Sequence, residues 1–433
     1  MTSFRLLEGM QLGVASAATQ IEGGNNQNSW YDWFKKGHIK DNADPSIATM
    51  HYELFEQDSQ LMHDLGLRHY RLGIEWARLE PKNGVFDEAE FIHYRKELLL
   101  LKRLGITPLL TIHHFTNPLW FEKMGAFKNK KCVAIYLRFV KKVVRAFGDL
   151  VSEYITINEP NVYATSGYFF GIWPPGKKSI RLTIRVHNHM AECHVKAYTL
   201  IHKQRKEMGF DDTKVSYAHH MRVFAPKNPK KLWHRMCTPV MERLFQSSIS
   251  KTYLTGKGCF PLKRIKGAGD GPFCDFHAIN YYSRTAVSGF GTGFMDDVPV
   301  NDLGWEIYPE GIVQNARALY KLAELPIYIT ENGTCDEKDT FRCRYLFDHL
   351  QALCESGLPI ERYYHWCFAD NFEWAEGYTA RFGIVHVDFK TQQRTVKRSG
   401  EFYTKMIEAH GVTQEIFDEY CDVTYNTNTR SNR

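Results

Sequence analysis

The sequence lacks several patterns that mark whole classes of protein. None of its ten cysteines belongs to a C-x-x-C pair, which argues against zinc and redox motifs. No stretch reaches the roughly eighteen apolar residues of a transmembrane helix, and the first residues contain no apolar run typical of a signal peptide. We therefore expect free thiols, a cytoplasmic location, no integral membrane segment, no metal and no cofactor.

A strong excess of charge is also absent. The 55 Lys and Arg residues nearly balance 49 Asp and Glu residues, for a net charge of +6 over 433 residues. The basic residues are scattered, and clusters such as Lys227–Lys231 are interpreted as solvated loops, which argues against a nucleic-acid partner. Aromatic residues are abundant, with 9 Trp, 23 Tyr and 28 Phe. Because Trp and Tyr stack on sugar rings, this excess favours a carbohydrate site.

Short apolar runs alternate with amphipathic segments along the whole chain. Alternation of this kind, without a linker, predicts a single α/β (β/α)8 TIM barrel over residues 1–424, with its active site at the carboxyl ends of the strands. A doubly wound sheet is the alternative, but its Gly-rich phosphate turn is missing after the first strand. Residues 18–50 are expected to form a long functional loop, and the polar tail 425–433 is expected to fray. The eight predicted strands span residues 11–16, 68–75, 107–114, 153–159, 213–220, 275–282, 326–331 and 361–368.

Two of these strands end in the same way. Tyr154–Pro160 reads Y-I-T-I-N-E-P and Tyr328–Gly333 reads Y-I-T-E-N-G, so each ends in a glutamate beside an asparagine. Either glutamate alone is compatible with an ordinary polar residue at a strand end. Together, Glu159 and Glu331 are candidates for the acid/base and the nucleophile of a glycosidase.

Other polar and aromatic residues stand at the predicted strand ends and face the same side of a barrel. Amides, an imidazole, carboxylates and indoles suit a sugar ring better than a phosphate, a nucleotide or a metal. Together with the two glutamates, the set comprises Gln20, Glu22, Arg71, Glu75, His113, His114, Asn158, Glu159, Asn280, Tyr282, Glu331, Asn332, Trp366, Glu373 and Trp374.

These motifs resemble glycoside hydrolase family 1, the retaining β-glycosidases. The resemblance runs from A-T-Q-I-E-G-G at 18–24 to K-R-S at 397–399, and T-I-N-E-P, I-T-E-N-G and D-N-F-E-W are its most specific elements. The short chain and its H-H-F-T-N-P-L-W-F run at 113–121 are more similar to compact archaeal-type members than to plant enzymes.

The resemblance implies a role for each residue. Glu159 matches the acid/base and Glu331 the nucleophile, while Arg71, Asn280 and Tyr282 match the residues that position and ionise the nucleophile. The residues that match the −1 sugar subsite are Gln20, His114, Asn158, Trp366, Glu373 and Trp374. The implied activity is hydrolysis of terminal β-D-glucosyl, galactosyl or fucosyl residues from alkyl, aryl or short oligosaccharide aglycones.

Several alternatives stay open at this stage. Arg71 could form a structural ion pair with Glu75, which would not exclude its catalytic role, and His114 and Trp366 could be packing residues. A 6-phospho-β-glycosidase is disfavoured by the acidic Glu373, and a catalytically inactive carbohydrate-binding relative is disfavoured because both carboxylates are present. Phe115 and Cys367–Ala369 depart from the family pattern and leave the choice between glucose and galactose open. The oligomeric state cannot be predicted from the sequence.

Overall fold

The computed structural model describes residues 2–428 and contains a closed barrel of eight parallel strands. Each strand pairs with the next along the chain, and the eighth pairs with the first. This confirms the predicted (β/α)8 fold. The strands are β1 (Gln11–Ala15), β2 (His69–Gly73), β3 (Thr107–His113), β4 (Glu153–Asn158), β5 (Lys214–Pro226), β6 (His277–Ser288), β7 (Ile327–Asn332) and β8 (Ile360–Trp366).

Long helices surround the barrel and pack their apolar stripes against it. In one of them, Val133, Tyr136, Val140 and Val143 recur at helical spacing, and all four are buried. The long helices are α1 (His51–Asp64), α2 (Glu88–Arg103), α3 (Cys132–Phe147), α4 (Ile180–Glu207), α5 (Leu232–Glu242), α6 (Ser248–Thr255), α7 (Glu310–Leu322), α8 (Arg342–Cys354) and α9 (Arg398–Glu408).

Shorter elements occupy the connections. The short helices and helical turns are Ala18–Ile21, Ser29–Lys35, Lys40–Asn42, Trp76–Leu79, Leu119–Lys123, Ala126–Lys128, Pro160–Ala164, Thr165–Phe170, Arg243–Ser247, Trp374–Glu376 and Gln414–Tyr420. Short strands pair Phe4–Arg5 with Gly411–Val412, Val385–Val387 with Arg394–Val396, Pro299–Val300 with Asn426–Thr427, and Gly291–Gly293 with the end of β6.

Two expectations about irregular segments need correction. The predicted loop 18–50 contains helix Ser29–Lys35, which begins where the Asn28 side chain accepts hydrogen bonds from the amides of Trp30 and Tyr31. The tail does not fray from residue 425, because the Tyr425 hydroxyl donates to Asp348 at 2.6 Å and Asn426–Thr427 forms a strand pair. Residues 429–433 of that predicted tail lie outside the described residues.

Strands β5 and β6 run well beyond their predicted ends at residues 220 and 282. They stay paired as far as Pro226 and Val287, and so they rise above the carboxyl end of the barrel. The extension places Arg222 on the strand rather than on a loop, at a register shift between Met221 and Val223, and it continues the strands that end in His220 and Tyr282 in the prediction. It therefore gives this side of the barrel mouth a rigid wall.

All ten cysteines are unbridged. Within residues 2–428, no helix combines the length and the apolar character needed to cross a bilayer.

Candidate active site

The two candidate carboxylates lie at the carboxyl ends of β4 and β7. Glu159 follows β4 directly and adopts a left-handed backbone with φ 41°, after which Pro160 begins a short helix. Such a backbone is unusual for a residue with a side chain and is found preferentially at functional positions. Glu331 lies within β7 and is paired in register with Asn280 of β6. Both glutamates are buried, at 5% and 3% exposure.

Arg71 of β2 connects the two strand ends. Its Nη1 forms an ion pair with Glu331 Oε1, and its Nη2 donates to Asn158 Oδ1 at 2.6 Å. Its Nε donates to Thr111 Oγ1 at 3.1 Å, and the guanidinium is fully buried. Because an arginine presents its donors in a rigid fork, these contacts hold Glu331 in one orientation.

The second oxygen of Glu331 is held by a phenol. The Tyr282 hydroxyl donates to Glu331 Oε2 at 2.6 Å. Burial raises the pKa of Glu331 to about 7, and the negative charge of Glu159 contributes to the rise. The positive charge of Arg71 and the hydrogen bond from Tyr282 both oppose it. The ionisation of Glu331 therefore depends on whether Glu159 is charged.

Glu159 has neutral donors as its direct partners. Asn280 Nδ2 donates to Glu159 Oε1 at 2.8 Å, and the same amide donates to Asn158 Oδ1 at 3.0 Å. His220 Nδ1 lies 3.1 Å from the same Glu159 oxygen. Burial raises the pKa of Glu159, but a charged His220 and the bonds from His220 and Asn280 together lower it below the ordinary glutamate value.

The hydrogen bonds around His220 define its tautomer. Arg222 Nε lies 2.9 Å from His220 Nε2, and an arginine nitrogen can only donate. The Nε2 atom is therefore the acceptor, and the proton sits on Nδ1, which donates to Glu159. Burial lowers the pKa of His220, which keeps the imidazole neutral. The contribution of the His220 charge to the low pKa of Glu159 is then absent near neutral pH, and the charge of Arg71 is the one that continues to lower this pKa.

The hydrogen bonds of Asn158 and His114 likewise define which of their side-chain atoms donate and which accept. Asn158 Oδ1 accepts from Arg71 and Asn280, so the Nδ2 atom must donate to His114 Nε2 at 3.0 Å. His114 is then neutral with its proton on Nδ1, and burial lowers its pKa well below the usual value. Within the described residues His114 Nδ1 has no partner, so it is available to a ligand hydroxyl.

Gln20 and Glu373 form the next part of the site. Gln20 Nε2 donates to the Phe372 carbonyl at 2.8 Å and to Glu373 Oε2 at 3.2 Å. Gln20 Oε1 is buried and has no partner in the described part of the chain. Burial raises the pKa of Glu373 to about 8, opposed by a hydrogen bond from Trp366 and reinforced by the charge of Glu331.

Aromatic rings line the site. Trp366 and Trp374 both lie nearly parallel to the His114 ring, at 5.8 and 5.9 Å between centroids. Trp374 is fixed from behind by Trp30 at 4.8 Å and Phe115 at 5.3 Å. Trp173 extends the group, and its ring centroid lies 6.1 Å from that of Trp374. A flat ring with weakly polar faces fits such walls, and its hydroxyls fit the amides and carboxyls between them.

The sequence profile of Glycosyl hydrolase family 1 matches residues 3–259 and 275–412. The chain belongs to this family. It is 32% identical to Beta-glucosidase A of Acetivibrio thermocellus, over 92% of this chain and 97% of the relative. It is 27% identical to a Beta-galactosidase of Pyrococcus woesei, over 94% and 98% of the two chains.

Solved structures with a similar fold are also β-glycosidases. A β-glycosidase from Pyrococcus horikoshii superimposes with a TM-score of 0.88 at 30% identity, covering 96% of this chain and 98% of the other. A family 1 β-glucosidase from Thermotoga maritima, solved with glucoimidazole, gives a TM-score of 0.86 at 28% identity, covering 94% and 100%. This family 1 chain is therefore a glycoside hydrolase of the β-glucosidase type.

The structure brings all eleven predicted site residues of this glycoside hydrolase to one end of the barrel, but not every polar residue at a strand end joins them. Glu22 pairs with Arg78 at 2.8 Å, and His113 bonds Asn117 at 3.0 Å. Glu75 instead caps helix Trp76–Leu79 through the amide of Ala77. The alternative pairing of Arg71 with Glu75 is therefore wrong, because the guanidinium pairs with Glu331.

Sequence reasoning missed His220 and Arg222. His220 ends the predicted fifth strand in the run A-H-H, which is the same position that His114 occupies on the third. The strand-end rule could have found it, whereas Arg222 lay beyond the predicted strand end. An open cavity of about 780 Å³ lies elsewhere, against Asp302, Asp336 and Asp422, and contains neither carboxylate of the pair.

Proposed function

We propose that this family 1 hydrolase is a retaining exo-β-glycosidase that releases terminal β-D-glucosyl residues, with galactosyl and fucosyl glycosides as further candidate substrates. The contrast in hydrogen bonding between the two carboxyls carries the proposal. Glu331 accepts from a cationic guanidinium and a phenol, whereas Glu159 accepts from a neutral amide and a neutral imidazole. A cation stabilises the ionised form much more than neutral donors do, so the pair separates into a nucleophile and an acid.

The proton of the pair is assigned to Glu159. Because His220 is neutral, its charge does not lower the pKa of Glu159 at neutral pH, and burial favours the protonated acid. Once Glu159 is protonated, the charge that raises the pKa of Glu331 is gone as well. Oε1 of Glu159 already accepts two hydrogen bonds, so we assign the transferable proton to Oε2.

The proposed reaction has two displacements. In the first, a Glu331 oxygen forms a bond to the anomeric carbon as the glycosidic bond breaks, and Glu159 transfers its proton to the leaving oxygen. In the second, Glu159 takes a proton from water, the water oxygen bonds to the anomeric carbon, and Glu331 leaves as a carboxylate. This mechanism requires the two carboxyls to stand roughly 5–5.5 Å apart.

The other residues are proposed to hold the sugar. His114 Nδ1 and Gln20 Oε1 offer a free donor and a free acceptor, and Glu373 offers a carboxyl next to Gln20. Asn158 is aligned by Arg71 to contact the 2-hydroxyl, where a bond strengthens as positive charge develops. Trp366 and Trp374 supply stacking surfaces. A buried floor of this kind suits the end of a glycan rather than its middle, which supports exo action.

A 6-phospho-β-glycosidase remains the competing activity. Glu373 would meet the phosphate as a carboxyl, and Arg381, the first basic residue after it, is paired with Asp370 at 3.4 Å. A phosphate would therefore lack a free cation from this segment.

A panel of nitrophenyl β-glycosides tests the proposal. The panel holds the gluco, galacto, fuco, manno, xylo and 6-phosphogluco forms, and proton NMR follows the anomer that is released first. We expect the highest kcat/KM on a neutral β-glycoside and initial release of the β-anomer, with Glu331→Gln as the inactive control. Initial release of the α-anomer, or turnover of the 6-phospho substrate alone, would contradict the proposal.

A further inference from the structure

Helix α5 and the turn that follows it carry an apolar face that points away from the protein. Its side chains lie at helical spacing and are between 44% and 66% exposed. Single exposed apolar residues are ordinary, but a continuous stripe on one helix face is not. The stripe, which we call the α5 face, consists of Leu232, Trp233, Met236, Val240 and Leu244.

Neighbouring aromatic residues enlarge this surface. Phe290, at the turn after β6, is 70% exposed, and its ring packs edge-on against Trp233 at 5.4 Å. Phe260, in the segment after α6, is 76% exposed, and the preceding Cys259 lies 4.0 Å from the guanidinium of Arg243 in the turn that follows α5. These side chains are exposed on the outer side of a helix and of a hairpin turn. Exposed apolar side chains on the outer face of a helix are typical of a helix that lies in an interface.

The same part of the chain holds an unusual concentration of positive charge. Residues 227–266 contain ten basic residues and one acidic residue, Glu242, a net charge of +9 in a chain whose total is +6. The rest of the molecule therefore has a net charge of −3. The expectation that basic residues are scattered is wrong for this segment. The ten are Lys227, Lys230, Lys231, Arg235, Arg243, Lys251, Lys257, Lys263, Arg264 and Lys266.

These cations are largely uncompensated. Within residues 2–428, Lys227 alone among the ten has a carboxylate within ion-pair distance, Asp296 at 3.3 Å. Lys230, Lys231 and Arg235 are exposed and directly flank the apolar stripe. A helix with exposed Trp and Leu on one face and unpaired Lys and Arg beside it is typical of an interfacial helix on an anionic membrane.

The α5 face lies at the catalytic end of the barrel. Phe245, in the turn that follows α5, contacts the His220 ring at 6.0 Å between centroids, and His220 bonds Glu159. The guanidinium of Arg222 lies 5.1 Å from the centroid of the same Phe245 ring. The segment after β4 also exposes Phe169, Phe170 and Ile172 at this end. A surface that met α5 would therefore lie beside the mouth of the active site.

We propose that the α5 face docks this enzyme on an anionic lipid bilayer. The apolar stripe enters the boundary between headgroups and acyl chains, and the flanking cations contact lipid phosphates. The docked orientation brings the barrel mouth to the lipid surface. In consequence, and resting on the proposed glycosidase function, β-glycosides whose apolar aglycone is embedded in the bilayer are the substrates favoured by docking.

Vesicle sedimentation with the full chain tests the docking. The vesicles are pure phosphatidylcholine or phosphatidylcholine with 30% phosphatidylglycerol, at low and high salt. We expect binding to the anionic vesicles that weakens at least tenfold without the anionic lipid or at high salt. Trp233→Ser and Met236→Ser should each weaken binding about tenfold, and Lys230→Ala about fivefold. Ile92→Ser on α2, a residue 58% exposed, is the matched control and should change nothing.

Three outcomes would contradict the docking. They are that the unmodified protein fails to bind anionic vesicles, that the α5 variants bind them as tightly as the unmodified protein, or that Ile92→Ser weakens binding as much as the α5 variants do. Light scattering without lipid should give the monomer mass of 50.4 kDa, and a dimer that Trp233→Ser dissociates would assign the face to a second copy instead. Hydrolysis of a dodecyl β-glucoside in the vesicles is scored separately. Vesicle binding without hydrolysis of any β-glycoside contradicts the proposed function, whereas hydrolysis without vesicle binding contradicts the docking.

Discussion

Glu331 and Glu159 are the same type of residue at similar depth, but their surroundings differ in charge. One carboxyl accepts hydrogen bonds from Arg71 and Tyr282, and the other from Asn280 and His220. The asymmetry of donors, and not the residue type, assigns opposite proposed roles to the two side chains. It also predicts how each variant should behave, because removing a charged donor and removing a neutral one shift a carboxyl pKa by different amounts.

The largest loss of activity should come from replacing Glu331, the carboxyl that pairs with Arg71. Glu331→Gln is expected to reduce kcat roughly 10⁴-fold or more, because the amide cannot form the glycosyl ester. An activated fluorinated glycoside should add a covalent label at Glu331 of the unmodified enzyme, detected by peptide mass spectrometry. Glu355→Gln, at an exposed position, is the control and should leave kcat unchanged. A label on any other carboxylate would refute the assignment.

Replacing the other carboxyl should produce a loss that depends on the leaving group. Glu159→Ala is expected to slow alkyl glycosides by about 10²- to 10⁴-fold, and dinitrophenyl glycosides far less in the first step, since a good leaving group needs no proton. Azide should restore turnover and give the β-glycosyl azide, identified by NMR. An equal loss on both substrates, with no azide rescue, would assign Glu159 a structural role.

Replacing Arg71 by an uncharged residue should remove the difference in donor charge between Glu331 and Glu159. Arg71→Met is expected to reduce kcat by about 10²- to 10³-fold, because Glu331 loses both its orientation and its charged donor. Without a nearby positive charge, the pKa of Glu331 rises, so the acidic limb of the kcat/KM profile should move to higher pH. Measuring kcat/KM across pH tests this. An unchanged limb together with an unchanged maximal rate would show that Arg71 contributes only to folding.

The smallest loss of activity is expected from replacing His220, a neutral hydrogen-bond donor to Glu159. His220→Ala should reduce kcat/KM about tenfold on alkyl glycosides. It should also move the basic limb to higher pH, because the ionised form of Glu159 loses a hydrogen bond. His220→Asn places an amide nitrogen near the lost Nδ1 and should restore most of the basic limb. Equal losses in both variants, with no movement of the limb, would leave His220 as a packing residue.

The sequence predicted the catalytic pair and most of its neighbours for a local reason. Each glutamate terminates a short β-branched strand, and strand ends in a parallel barrel meet at one face, so Glu159 and Glu331 could be assigned to one site without coordinates. The same rule, applied to His220, would have added a partner of Glu159. It failed for Arg222, because the extension of β5 past residue 220 depends on pairing with β6, whose residues are distant in sequence.

By itself, the sequence determined the barrel, the positions of the two carboxyls and the family, because periodicity, strand-end residues and motifs are local properties of the chain. The tertiary structure alone decided that Arg71 pairs with Glu331 rather than with nearby Glu75, and that His220 is neutral with its proton directed at Glu159. It also decided that α5 turns an apolar face outward instead of burying it. These outcomes depend on which distant groups compete for each donor and each surface, and only folding brings those competitors together.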